Sequence, residues 1–321
     1  MGEKEVVKPH FWILRLGEMT LKSRPVRRHF QRSMEQSLLD LALRAGIDLH
    51  IEHIGSLIIA SSHCEYGEVE EVLCHCFGLQ SVDRAIPCSA SPVEVAKTAL
   101  ESDLDFGKKR TFGVATKRSG AKGEWGSQDF SAEVGHYMLE GDGTLSVNLS
   151  NPDYPVRVIL TKQKAWLLAE KINCPGGLPI GVQGLVLAKI SNEADMLGAW
   201  QLMRRGCRII SQEQSDEGLL AILSSWDSTI TDAKKAIKSR SGPGRSTGEI
   251  WGRIGDVEVK DEVKDEVKDE VKVGKITPAS KLQPMCGWTP EEMSALGAHI
   301  RNPTTAIRPS YDNDLLTSWI A

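Results

Sequence analysis

An apolar run, Leu185–Ile190, leads through a short turn into apolar residues at helical spacing from Asp195 to Arg205, and nothing else in the chain restricts its fold as tightly. A short, nearly continuous apolar run suits a parallel strand covered on both faces, and such a strand feeding a helix builds a doubly wound α/β domain. At that kind of turn, backbone N–H groups at the helix N-terminus hold phosphate, and glycines let it approach. Here the turn reads Ser191-Asn192-Glu193-Ala194, with Asp195 and Met196 opening the helix. The place suits a phosphate; the side chains do not.

With 321 residues, 40% apolar and 26% charged, the chain can bury a sizeable core and is long enough for two or three domains. A net charge of −4 gives no global sign of nucleic-acid binding, so that reading has to rest on local clusters. Seven cysteines and no secretory leader point to reduced thiols and a cytoplasmic protein, and no apolar run reaches the length of a membrane span. Cys74-His75-Cys76, with His63 and Cys64 near it, lacks zinc-loop spacing, so core thiols and no metal are expected.

From the start of the chain, Phe11–Leu16 reads as a strand, and Gly17–Arg24 as a turn into a helix ending near Ala45. Ser23 is the expected N-cap, Pro25 the expected N1 residue, and Gly46 the stop. Phe30, Met34, Leu38, Leu41 and Leu43 are expected on its apolar face. Between Lys22 and Met34 lie five basic residues, Lys22, Arg24, Arg27, Arg28 and Arg32, and no acid. A strand pair over 47–60 and a helix over Tyr66–Cys76 complete the order of a small ferredoxin-like α+β domain, residues 8–80.

The next unit, 81–174, alternates expected helices (Pro92–Leu100, Ser127–Glu140) with strands (Arg110–Thr116, Leu145–Ser150, Arg157–Leu160, Ala165–Lys171). It carries a second basic cluster, Lys108, Lys109, Arg110, Lys117, Arg118 and Lys122, with no acid between Gly107 and Gly123. Phosphate contacts by such residues supply affinity through counterion release, and folded RNA presents them with shape rather than sequence. The third unit, 175–321, opens at Pro175-Gly176-Gly177-Leu178-Pro179. It is expected to continue with a strand at Cys207–Ser211, another at Gly218–Leu223, and a helix from Trp226 to Lys238. A strand at Glu249–Ile254 and a helix opened by Thr289-Pro290-Glu291-Glu292 follow. Three Val-Lys-Asp-Glu repeats with a trailing Val271-Lys272, over 259–272, read as a surface insert with no chemistry.

Three sets of residues resemble one family. Gly17, Glu18, Leu21, Lys22, Ser23, Arg27 and Phe30 match its G-E-x-x-L-K-S-x-x-x-R-x-x-F element. FGVATKRSG, FSAEVG and VNLSNPDYPVRV resemble the THUMP RNA-binding domain. Gly176–Gly184 with the 191–196 turn resembles the S-G-G-x-D-S phosphate loop, the PP-loop, of the tRNA 4-thiouridine synthases, sulfurtransferases also tied to thiamine biosynthesis. Ile300, Thr304, Ile307 and Pro309 keep the outline of the family's tail.

The resemblance implies an N-terminal ferredoxin-like domain, a THUMP domain and a PP-loop α/β domain, with tRNA as partner on the two basic clusters. It implies ATP to adenylate a uridine and a cysteine persulfide to deliver sulfur. Ser191 and Asp195 keep the loop pattern, while Asn192 and Glu193 replace its two glycines and Met196 its serine. At about 4 kcal/mol for unit charges about 4 Å apart in an effective dielectric near 20, repulsion between Glu193 and phosphate outweighs several neutral hydrogen bonds. The family's C-x-x-C is absent, leaving Cys207 and Cys286 in the third unit, with Cys286 the thiol to test. Two readings follow: a tRNA-presenting protein that works with a separate catalytic enzyme and needs no cofactor, or an ATP-dependent 4-thiouridine synthase with an unorthodox loop.

Overall fold

The computed structural model describes residues 8–121, 123–232, 250–257 and 280–306. In chain order the first elements are β1 (His10–Leu16), α1 (Arg24–Ala45), β2 (His50–Ile54), β3 (Leu57–Ser62), α2 (Tyr66–Cys74) and β4 (Leu79–Ser89). Then come α3 (Pro92–Glu101), β5 (Arg110–Arg118), α4 (Ser127–Gly141), β6 (Leu145–Val147), β7 (Tyr154–Leu160) and β8 (Lys164–Asn173). The last are β9 (Leu185–Ala188), α5 (Glu193–Arg204), β10 (Arg208–Ser211), α6 (Glu217–Ser224), β11 (Ile250–Ile254), β12 (Ser280–Lys281) and α7 (Pro290–Arg301). No helix among the described residues is long and apolar enough to cross a membrane.

The chain forms two compact units. One takes the segment ending at Arg15 with Ile47–Tyr66 and Val82–Ile172; the other takes Leu16–Gly46, Gly67–Ser81 and the chain from Asn173 onward. Strands expected in 8–80 and strands expected in 81–174 share one sheet of order β2-β3-β1-β4-β8-β7-β5-β6. The chain order β5, α4, β6 with β5 and β6 parallel makes α4 a crossover helix, and its Phe130, Val134 and Met138 pack with Phe112, Val156 and Leu167. Within the sheet Asp83 on β4, side chain 3% exposed, accepts from Arg15 on β1 (3.0 Å) and Arg157 on β7 (2.9 Å). Two cations on one buried carboxylate meet the requirement that a buried charge be paired.

The second unit holds a parallel sheet of order β10-β9-β11-β12. Leu185–Ala188 of β9 are buried on both faces, as a central parallel strand requires. Trp200 of α5 packs edge-on to Trp226, 5.2 Å between ring centres, with Phe77 5.3 Å away, over a core shared with Met196, Leu197, Leu296 and Ile300.

Several local expectations need correction. Gly218–Leu223 is helical, not a strand: Asp216 caps α6 by accepting from the Leu219 N–H at 2.9 Å, and its preference for an N-cap outweighs the apolar run. Trp226–Asp232 is turn, where Thr229 bonds back to Asp227, and not the start of a helix; the expected remainder to Lys238 lies outside the described residues. So do the 259–272 repeat, Ile307 and Pro309. On α1 the buried stripe is Phe30, Met34, Leu38 and Ala42, every fourth residue, which leaves Leu43 exposed and Leu41 half-buried. Ser23 stands at the N-cap without a side-chain bond, and Pro25 is the second helical residue, not the first.

Candidate functional site

The turn after β9 is organised by its own side chains. Asn192 is the N-cap of α5, its Oδ1 accepting from the Asp195 N–H at 3.0 Å, while Asp195 Oδ2 accepts from the Ser191 N–H at 3.0 Å. Two donors at the helix N-terminus are thereby spent within the loop, and Glu193 and Asp195 place negative charge where the helix dipole favours it. Ala194 and Met196 follow on the first turn, with Met196 fully buried in the core.

Glu193 does not swing free. Arg301, last residue of α7, donates through both terminal nitrogens to its two carboxylate oxygens, each at 2.7 Å, and that pairing raises the Arg301 pKa above its ordinary value. Gly297, one turn earlier, makes room: a Cβ there would stand 2.7 Å from Glu193 Oε1. Sequence reading singled out neither Gly297 nor Arg301, because their relation to Glu193 spans over a hundred residues and leaves no local pattern.

The first basic cluster holds together. Lys22, Arg24, Arg27, Arg28 and Arg32 are all exposed, at or near the N-terminal half of α1, and none pairs with an acid among the described residues. The second cluster divides. Lys109 and Lys117 are exposed, but Lys108 pairs with Asp105, and Arg110 pairs with Asp103 while lying 5.0 Å over the Tyr154 ring. Only the acids just before Gly107, outside the acid-free stretch, account for this. Arg118 points its guanidinium toward Gly123, and its Nη1 and Nη2 are buried without a hydrogen-bond partner among the described residues. Lys122 lies outside the described residues.

The VNLSNPDYPV segment shapes the fold around these cations. Asn148 closes a turn by donating to the Asn151 C=O at 2.8 Å and accepting from Ser150 and Asn151. Asp153 accepts from the Thr111 N–H and hydroxyl. Gly113 lies beneath: a Cβ on it would come within 2.7 Å of the Asn148 carbonyl oxygen.

Thiols are placed by the core. Cys74, Cys76, Cys174 and Cys207 are buried, burial pushes the Cys76 pKa up, and a hydrogen bond with Cys74 together with burial raises that of Cys174. Cys286 alone among the seven is exposed. Among the described residues no cluster of His, Cys, Asp and Glu is arranged to hold a metal ion.

Residues 93–170 match the THUMP domain family. Over 208 residues the chain is 33% identical to a probable tRNA sulfurtransferase of Thermococcus kodakarensis, covering 62% of this chain and 53% of the relative. The chain spans about half the length of the curated relatives it matches. Its fold is similar to the crystal structure of PH1313 from Pyrococcus horikoshii, with a TM-score of 0.66 at 22% identity, covering 91% of this chain and 99% of that one. It is also similar to a 4-thiouridine synthetase solved as an RNA complex with bound ATP, with a TM-score of 0.62 at 16% identity, covering 95% of this chain and 89% of that one.

Proposed function

We propose that the chain is a member of the THUMP-containing tRNA 4-thiouridine synthase, or tRNA sulfurtransferase, family, and that it binds tRNA and presents it for thiolation without itself using ATP. The observation that carries the second half is the Glu193–Arg301 pair. A phosphate entering the turn would meet a carboxylate already fixed in place, and the Ser191 and Asp195 N–H groups it needs are already bonded to side chains. These residues do not fit a nucleotide phosphate, so no adenylation step is assigned to this chain. Sulfur delivery and adenylation fall to a separate catalytic enzyme, the second partner of this reading.

The first half rests on the exposed cations at the start of α1, which pair with no acid among the described residues, and on the exposed Lys109 and Lys117, all of which offer phosphates a countercharge; Arg118, with its terminal nitrogens buried, does not. The division into 8–80, 81–174 and 175–321, and a place in the cytoplasm, belong to the same proposal.

The test combines filter binding of a tRNA transcript across a salt titration with calorimetric ATP titration and a thiolation assay containing a persulfide donor. The expected result is salt-steep tRNA binding, no ATP binding and no thiouridine formed by the purified chain. ATP-dependent thiolation by the chain alone would overturn the proposal and establish it as a working synthase.

A further inference from the structure

β5 has strands on both sides for only part of its length. It pairs with β7 from Phe112 to Arg118, but β6 accompanies it only from Arg110 to Phe112. The ladder bond from the Asn148 N–H to the Phe112 C=O, 2.9 Å, is the last on the β6 side. Beyond it the Thr116 N–H, on that same side, is taken by Ser131 Oγ of α4 at 3.1 Å. Backbone groups in a strand alternate sides with period two, so the N–H and C=O of Val114 face the same way as those of Phe112 and Thr116. They form a piece of sheet edge that β6 leaves open.

This edge opens into a cleft of about 680 Å³ between Gly113–Thr116, one face of α4 from Ser127 to Leu139, and Val147 and Leu149 at and beyond the end of β6. Val147 (55% exposed), Leu149 (79%) and Leu139 (39%) form its apolar rim, and among the described residues no Lys, Arg, Asp or Glu lines it. Exposed strand edges are templates for pairing, and small domains do not normally leave an apolar-rimmed one uncovered. The neutral lining is matched by a neutral occupant and gives a phosphodiester no countercharge.

We propose that the open edge of β5 from Gly113 to Thr116 binds an extended, uncharged segment of a partner protein as an added strand. Main-chain bonds to Val114 would set its register, and alternate apolar side chains would seat against Val147 and Leu149 on one side and the small Ala132 and Gly135 on the other. This stands apart from the tRNA reading, since none of the described cations assigned to tRNA lines the cleft.

The test is selection of a phage-displayed library of seven-residue segments on the full-length chain, followed by fluorescence anisotropy of the selected peptides, capped at both ends. Neutral sequences with alternating apolar residues are expected. Ala132→Phe, which fills the cleft from an exposed helix position, and Val147→Asp on the rim are each expected to weaken the peptides at least tenfold, with melting and tRNA affinity unchanged. Selection of no saturable binder, or binders indifferent to both substitutions, would overturn the proposal. So would displacement of the peptides by a short oligouridylate in a manner that Ala132→Phe abolishes, which would assign the cleft to nucleic acid.

Discussion

Arg301 and Glu193 join the last turn of α7 to the first turn of α5 through two parallel bonds of 2.7 Å. Their side chains are 37% and 45% exposed, so solvent screens the pair. Arg301→Met is therefore expected to cost about 1 kcal/mol, a fall of a few degrees in a thermal melt followed by circular dichroism. A fall of ten degrees or more would mean that the pair holds the unit together, which its exposure argues against.

If Asn192 and Glu193 are what keep phosphate out, restoring a glycine at both positions should let it in. The doubly substituted chain, Asn192→Gly with Glu193→Gly, is expected to gain ATP binding measurable by calorimetry, while each single variant gains little. Loss of the Asn192 cap should cost only a few tenths of a kcal/mol, since glycine is itself tolerated at an N-cap. Equal ATP binding by the unsubstituted chain would contradict this.

The two kinds of basic residue should separate in a salt titration. Removing Arg27 and Arg28, or Lys109 and Lys117, by alanine is expected to weaken tRNA binding and lower the salt slope by about 1 for each phosphate no longer neutralised. Arg110→Ala should leave the slope alone and lower stability, because it breaks the Asp103 pair and uncovers Tyr154. A slope change from Arg110 as large as that from Lys117 would return Arg110 to the RNA surface.

Much of this was legible in the residues themselves. The β9 run, the strand-to-helix turn after it and the two acid-free basic stretches are local patterns, and most strands show as short apolar or alternating runs of their own. What was not legible depends on partners distant in sequence. Arg110 looks like its neighbours until Asp103 is seen beside it, and Glu193 looks like an intruder in a phosphate loop until Arg301 is seen holding it. Gly218–Leu223 misled for another reason: a six-residue apolar run satisfies strand and helix alike, and only the Asp216 side chain decides between them. The two-residue β12 is too short to leave a periodic signal.

Low pH should loosen the first unit in a defined window. Asp142 is buried, and bonds from the Thr144 hydroxyl and the Gly107 and Thr144 N–H groups hold its pKa below the ordinary 3.8; bonds from Thr111 do the same for Asp153. A carboxyl with a depressed folded pKa contributes its full stability above the unfolded value and loses it as pH falls through the folded one. Urea midpoints should thus be flat above about pH 5 and decline below about pH 4, and Asp142→Asn should shallow that decline. An unchanged acid limb in the variant would remove Asp142 from the account.

Removing Asp83 tests the sheet rather than the surface. Asp83→Ala leaves Arg15 and Arg157 without their shared acceptor, but both are about a third exposed and can turn to water. The expected loss is about 1 to 3 kcal/mol, read from urea unfolding monitored by tryptophan fluorescence.

The sheet order has a consequence for how the chain is born. β1 is flanked by β3 and β4, and β4 in turn by β8, whose last residue is Asn173. Until the ribosome has released that residue, β4 presents a bare flank and the eight strands cannot close on one another, so long-range pairing postpones the fold. Nascent chains halted before β8 should be open to proteases and to chaperones, and should turn resistant only once β8 has emerged.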